Sequence, residues 1–81
     1  MRKAVKITWE ESRQMPRWQH VEDIDEDVCI CETIGWLVKE SEMAYYVSST
    51  IADDGEQACQ IIIIPKSCVK EYQELTEAIK P

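Results

Sequence analysis

The chain has 81 residues, a formal net charge of −7 and a sequence pI near 4.6. That leaves room for one domain (1–81) with one modest core, since a chain this short buries only about 60 to 65% of its unfolded surface. The negative charge opposes the phosphate-backbone term that dominates generic nucleic-acid binding. No stretch approaches the roughly 18 to 20 apolar residues of a membrane span. Met1-Arg2-Lys3 leads into alternation rather than into the apolar run of a signal peptide, so a cytoplasmic protein with reduced cysteines is expected.

Val5, Ile7 and Trp9 alternate with Lys6 and Thr8, the period-2 pattern of a strand with one face on a core. From Glu10 to Asp27 apolar residues thin out. Pro16 suits the first turn of a helix carrying Trp18, Val21 and Ile24 at intervals of three, and this predicts a short helical segment over 16–24. Strand character returns from Val28 to Glu40, interrupted by Gly35, which marks a bulge or a sharp bend. After the polar turn Lys39–Glu42, Met43–Ile51 reads as a third strand with Tyr45, Val47, Ser49 and Ile51 on one face. Asp53-Asp54-Gly55-Glu56 is the clearest turn signal, because Asp-Gly accommodates positive φ.

Cys59–Ile64 follows as the fourth strand. Its last four residues, Ile61 to Ile64, form a β-branched apolar run closed by Pro65, which predicts a central strand covered on both faces. Beyond it Cys68, Tyr72, Leu75 and Ile79 recur at four, three and four, a helical stripe with Ser67 available as N-cap. A C-terminal helix over 67–80 is expected, with a short last strand over Ser67–Glu71 as the competing reading.

Six acids and no base lie between Val21 and Glu32. Asp23, Asp25 and Asp27 alternate like the first half of a calcium loop, but Val28 and Ile34 occupy the positions that need a glycine and a bidentate glutamate. The segment reads instead as a solvated acidic face open to a basic partner. Cys29 and Cys31 flank Ile30, so on a strand both thiols face one side, within conceivable reach of Cys59, Cys68 or His20. Neither cysteine spacing is that of a zinc knuckle, and no metal or other cofactor is assigned. A thiol enzyme would need a base beside the cysteine, and His20 is the only histidine.

With no phosphate loop, no Ser-His-Asp set and no paired carboxylates on a recognisable scaffold, the expectation is a protein that is not an enzyme. Trp9 and Trp36 sit in apolar strand patterns and are expected in the core. Trp18 lies in the polar segment and is the better contact anchor. The partner-binding set is therefore Trp18, Glu22, Asp23, Asp25 and Asp27. Arg13 and Arg17, close to Trp18, are the local argument for an RNA contact.

The segments Trp9-Glu10-Glu11-Ser12, Trp18, Thr33-Ile34-Gly35-Trp36-Leu37-Val38-Lys39-Glu40 and Ile64-Pro65-Lys66-Ser67 resemble short uncharacterised proteins of tailed bacteriophages and prophages. Those proteins look like small bent-sheet barrels of the Sm-like type, and that likeness implies a ring-forming module that could bind RNA. From the residues and the resemblance together, the expected fold is mainly β (α+β). It is a strongly bent antiparallel sheet or Sm-like/SH3-like barrel of four to five strands, with a short helical segment and a C-terminal helix. The expected function is a phage accessory protein that binds another protein through an acidic surface, in the host-cell cytoplasm. Alternatives are a ring binding single-stranded RNA and an acidic nucleic-acid mimic that inhibits a host enzyme. Free strand edges on so small a sheet make self-association the expected state.

Overall fold

The computed structural model describes residues 3–12, 16–24 and 28–75. Five strands form one antiparallel sheet: β1 (Lys3–Glu11), β2 (Cys29–Glu40), β3 (Ala44–Ile51), β4 (Ala58–Pro65) and β5 (Val69–Leu75). Their order across the sheet is β4-β3-β2-β1-β5. The remaining regular structure among the described residues is two 3₁₀ turns, Val21–Asp23 and Lys66–Cys68. No helix among the described residues is long and apolar enough to cross a membrane.

The core forms where the alternation of β1 places it. Val5 and Ile7 are fully buried and cluster with Val47 of β3 and Ile64 of β4. Around them pack Trp9, Leu37, Tyr45, Ile62, Val69 and Tyr72. Register explains the grouping, because residues directly opposite on neighbouring strands share a face. Ile7 stands between Thr33 and Tyr72, Leu37 opposite Val47, Val47 opposite Ile62 and Tyr45 opposite Ile64. Tyr45 and Tyr72 stack with ring centroids 4.8 Å apart, bringing β3 and β5 together across the concave side of a bent sheet.

Gly35 permits the bend. A Cβ at this position would lie 2.6 Å from the Ser48 carbonyl oxygen and 2.9 Å from Val47 Cγ1, so only a residue without one lets β3 approach so closely. The register shift itself falls two residues later, between Leu37 and Lys39. Ser48 rather than Ser49 is the buried serine. Its hydroxyl lies 2.7 Å from the Thr50 carbonyl and 2.6 Å from the Cys59 carbonyl, and accepts the Thr50 N–H at 3.1 Å. The turn at 52–57 is as the sequence implies: Gly55 adopts φ 76°, its N–H donates to Ala52 O, and the Glu56 N–H donates to Asp54 Oδ1.

Four expectations are corrected. The isoleucine run is an edge strand, not a central one; Ile62 and Ile64 face the core, whereas Ile61 and Ile63 are 49% and 58% exposed. The sheet is open rather than closed into a barrel, since no ladder joins β4 to β5 among the described residues. Residues 69–75 are a strand, not a helix. Thr8 pairs with Glu71 and Trp9 with Val69, so Lys70 is an inserted residue, and the bulge puts the core-facing Val69 and Tyr72 three apart in a copy of helical spacing. Residues 76–81, with Ile79, lie outside the described chain. Finally, Pro16 starts no helix. Trp18, Val21 and Ile24 all remain exposed, so no buried face offsets the cost of nucleating one, and only the turn Val21–Asp23 forms.

Candidate functional site

Three features outside the core are candidates for function. The first is the connection from β1 to β2, residues 12–28. β3 joins β2 only from Trp36 onward and β5 joins β1 only as far as Trp9, so the last two rungs of the β1–β2 ladder, Glu10–Ile30 and Glu11–Cys29, extend beyond the other strands and carry the connection with them. The molecule is long, 55 × 25 × 24 Å, with a radius of gyration of 16.3 Å. A compact chain of this length would have about 12 Å.

On this connection Trp18 is fully exposed, as are Val21 and, in part, Ile24. Pro16, Arg17, Trp18, Gln19 and Ile24 line an open depression of about 420 Å³. Glu22 and Asp23 stand in the 3₁₀ turn next to it. The structure thus brings Trp18, Arg17, Glu22 and Asp23 onto one solvated segment, while Arg13, Asp25 and Asp27 lie outside the described residues.

The second feature is the convex face of the sheet. One ladder row crosses all five strands as Ile61, Ser48, Trp36, Ala4 and Leu75. Ile34, Ile63 and Trp36 on this face are 64%, 58% and 40% exposed. Trp36 therefore faces away from the core, against the expectation, whereas Trp9 packs on it and donates its indole N–H to Thr33 Oγ1 at 2.9 Å. Salt bridges Lys6–Glu32 (3.5 Å) and Lys70–Glu10 (2.9 Å) mark the more polar half of the same sheet. A second groove, lined in part by Val38, Tyr46, Ile51 and Ile61, lies beside the β3–β4 turn.

The third is a cluster at the last rung of the β1–β2 ladder. Glu11 lies directly opposite Cys29, and Trp9 opposite Cys31. Cys29 Sγ is 3.7 Å from Cys31 Sγ, and the Cys31 thiol donates to Glu11 Oε2 at 3.5 Å. The thiols share a face, as their spacing implies. Cys59 and Cys68 are free thiols elsewhere, and among the described residues this is the one group of three cysteine, histidine or acidic side chains close enough to share an ion. Desolvation, aided by the neighbouring Cys29 thiol and the Glu11 carboxylate, pushes the Cys31 thiol up to about 11. It is protonated at neutral pH and is a weak nucleophile in that form.

Glu11 is the member that sequence reasoning missed. It continues the alternation of Ile7 and Trp9, so the signal was present, but only the strand register reveals that it meets Cys29.

Comparison with protein-family models, with curated proteins and with solved structures finds no match to the chain.

Proposed function

We propose that the protein is a non-enzymatic interaction module, a phage accessory protein that grips a protein partner through the β1–β2 connection. The observation that carries this reading is the full exposure of Trp18 on the connection, where it lines an open depression next to two acids. Burying one tryptophan side chain in a partner's pocket removes about 150 to 250 Å² from water, a gross gain of roughly 4 to 6 kcal/mol before the costs of association. Tryptophan is accordingly a frequent anchor of protein interfaces. Glu22 and Asp23, with Asp25 and Asp27 next in sequence, favour a basic rim around that pocket and speed encounter with it. The net charge of −7 works against a phosphate backbone in the same place.

Self-association belongs to the same proposal. The edges of β4 and β5 and the exposed Ile34, Trp36, Ile61 and Ile63 are a surface that a second copy could cover, adding burial that a small sheet lacks.

Capture from a bacterial lysate tests the reading, with the native chain compared with one carrying Glu22→Gln, Asp23→Asn, Asp25→Asn and Asp27→Asn. The expected result is a protein partner lost or weakened in the variant, and an unchanged set of partners counts against it. Salt-sensitive binding of single-stranded RNA that depends on Arg13 and Arg17 would move the assignment to an RNA-binding ring. Capture of a DNA-binding enzyme competed by DNA would move it to an acidic mimic.

A further inference from the structure

We propose that Glu11, Cys29 and Cys31 form a binding site for a zinc-class divalent cation, which displaces the two thiol protons to solvent and takes two thiolates and one carboxylate as ligands, with a fourth position open to water or an outside donor. The site is separate from the partner-binding surface, so either assignment can fail without the other.

Two of the three separations between the ligand atoms match those of a tetrahedral centre. Two sulfurs each about 2.3 Å from a tetrahedral zinc stand about 3.8 Å apart, and a sulfur and a carboxylate oxygen at about 2.1 Å stand about 3.6 Å apart. The corresponding separations are 3.7 Å for Cys29 Sγ to Cys31 Sγ and 3.5 Å for Cys31 Sγ to Glu11 Oε2. All three ligand atoms lie within 4.8 Å of one another.

Two independent features of the strands produce this arrangement. Period-2 alternation puts Cys29 and Cys31 on one face, and antiparallel register puts Glu11 directly across from Cys29. A ligand pair from a single strand spaced Cys-x-Cys replaces the loop knuckle of ordinary zinc sites. That spacing argues against zinc only if the cysteines lie on a turn, and these lie on β2.

Donor chemistry selects the ion. Two thiolates exclude calcium and magnesium, which take oxygen ligands. A carboxylate as third donor suits a borderline divalent ion better than a purely thiophilic one. The ligands are solvent-accessible, which gives the ion an entry path and leaves its fourth position open.

Place in the fold gives the site a mechanical consequence. Glu11 ends β1 and Cys29 begins β2, so the ion would clasp the rung from which the connection bearing Trp18 departs. An ion bound only by the folded rung stabilises it by mass action.

The test is a titration of the reduced, full-length chain with Co²⁺, read by thiolate-to-cobalt charge-transfer absorption, followed by competition with Zn²⁺. One equivalent of cobalt with a tetrahedral spectrum, displaced by zinc, is expected. The spectrum should vanish in Cys29→Ser and in Cys31→Ser and persist in the Cys59→Ser, Cys68→Ser double variant. Glu11→Gln should weaken cobalt binding by no less than about tenfold, the lower end of what losing even a supporting partner of a metal ligand costs. Circular dichroism of each apo variant identifies any that fails to fold, and protection of Cys29 and Cys31 from alkylation by zinc in the native chain supplies a readout that needs no variant. Absence of cobalt absorption in the native chain, alkylation unaffected by zinc, a spectrum that survives both cysteine substitutions, or unchanged affinity in Glu11→Gln would each overturn the assignment.

Discussion

The bent sheet and the β1–β2 connection use the same kinds of residue in opposite ways. In the sheet, Val5, Ile7, Val47 and Ile64 are buried to the last few per cent, and the buried hydroxyl of Ser48 has its partners. In the connection, Trp18, Val21 and Ile24 are equally apolar yet exposed, and no face of the sheet covers them. Stability resides in the first region, whereas the second leaves its apolar surface in solvent. Substitutions should therefore separate cleanly into those that unfold and those that leave the fold alone.

The largest expected effect lies in the body. Ile7→Ala removes a fully buried side chain flanked by Tyr72 and Thr33 and should cost between about 2 and 5 kcal/mol, read from urea unfolding. Gly35→Ala drives a Cβ into the Ser48 carbonyl and should cost about 2 to 3 kcal/mol, because the obstacle is backbone and cannot swing aside. Ser48→Ala removes the hydroxyl whose single proton is within reach of the Thr50 and Cys59 carbonyls and whose oxygen accepts the Thr50 N–H, for a loss of about 1 to 2 kcal/mol. A variant that tolerated all three would erase the contrast between body and connection.

Smaller effects sharpen it. Trp18→Ala should shift stability by no more than about 0.5 kcal/mol, the usual range for a substitution that touches no packed feature, and any larger loss in thermal unfolding would place Trp18 in the body after all. The smallest effect concerns the Lys3–Glu74 pair at 2.9 Å. Lys3 holds the Glu74 carboxyl below its ordinary value, and Glu74 holds the Lys3 ammonium above its own. The carboxyl contribution is present above the ordinary carboxylate range and is lost as pH falls through the lowered value. The ammonium contribution is lost as pH rises through the raised one. Both groups are exposed and screened, so Glu74→Gln should flatten the acid and alkaline limbs of the stability profile only slightly.

What could be read from the chain follows from the same division. Alternation in Val5, Ile7 and Trp9, the glycine at the bend and the Asp-Asp-Gly turn are local signals, and each corresponds to the observed element. The C-terminal strand was hidden because Cys68, Tyr72 and Leu75 recur at helical intervals, yet Cys68 belongs to the preceding 3₁₀ turn and Tyr72 and Leu75 stand on opposite faces of β5. The position of Ile61–Ile64 was hidden for a different reason. Composition shows that a strand has two apolar faces but not whether the chain covers both, and Ile61 and Ile63 are left in solvent. Glu11 escaped notice because its partner Cys29 lies eighteen residues along, beyond any local pattern, and only register joins them. The exposure of Trp18 was legible because it is the one tryptophan outside an apolar strand pattern.

The most direct measurement of the central claim, that contact is made by the connection and not by the folded sheet, is quantitative partner capture by native protein and by Trp18→Ala at matched unfolding midpoints. Loss of the captured partner by tenfold or more, with the midpoint unchanged, is the expected result. Equal capture by the two proteins would contradict it.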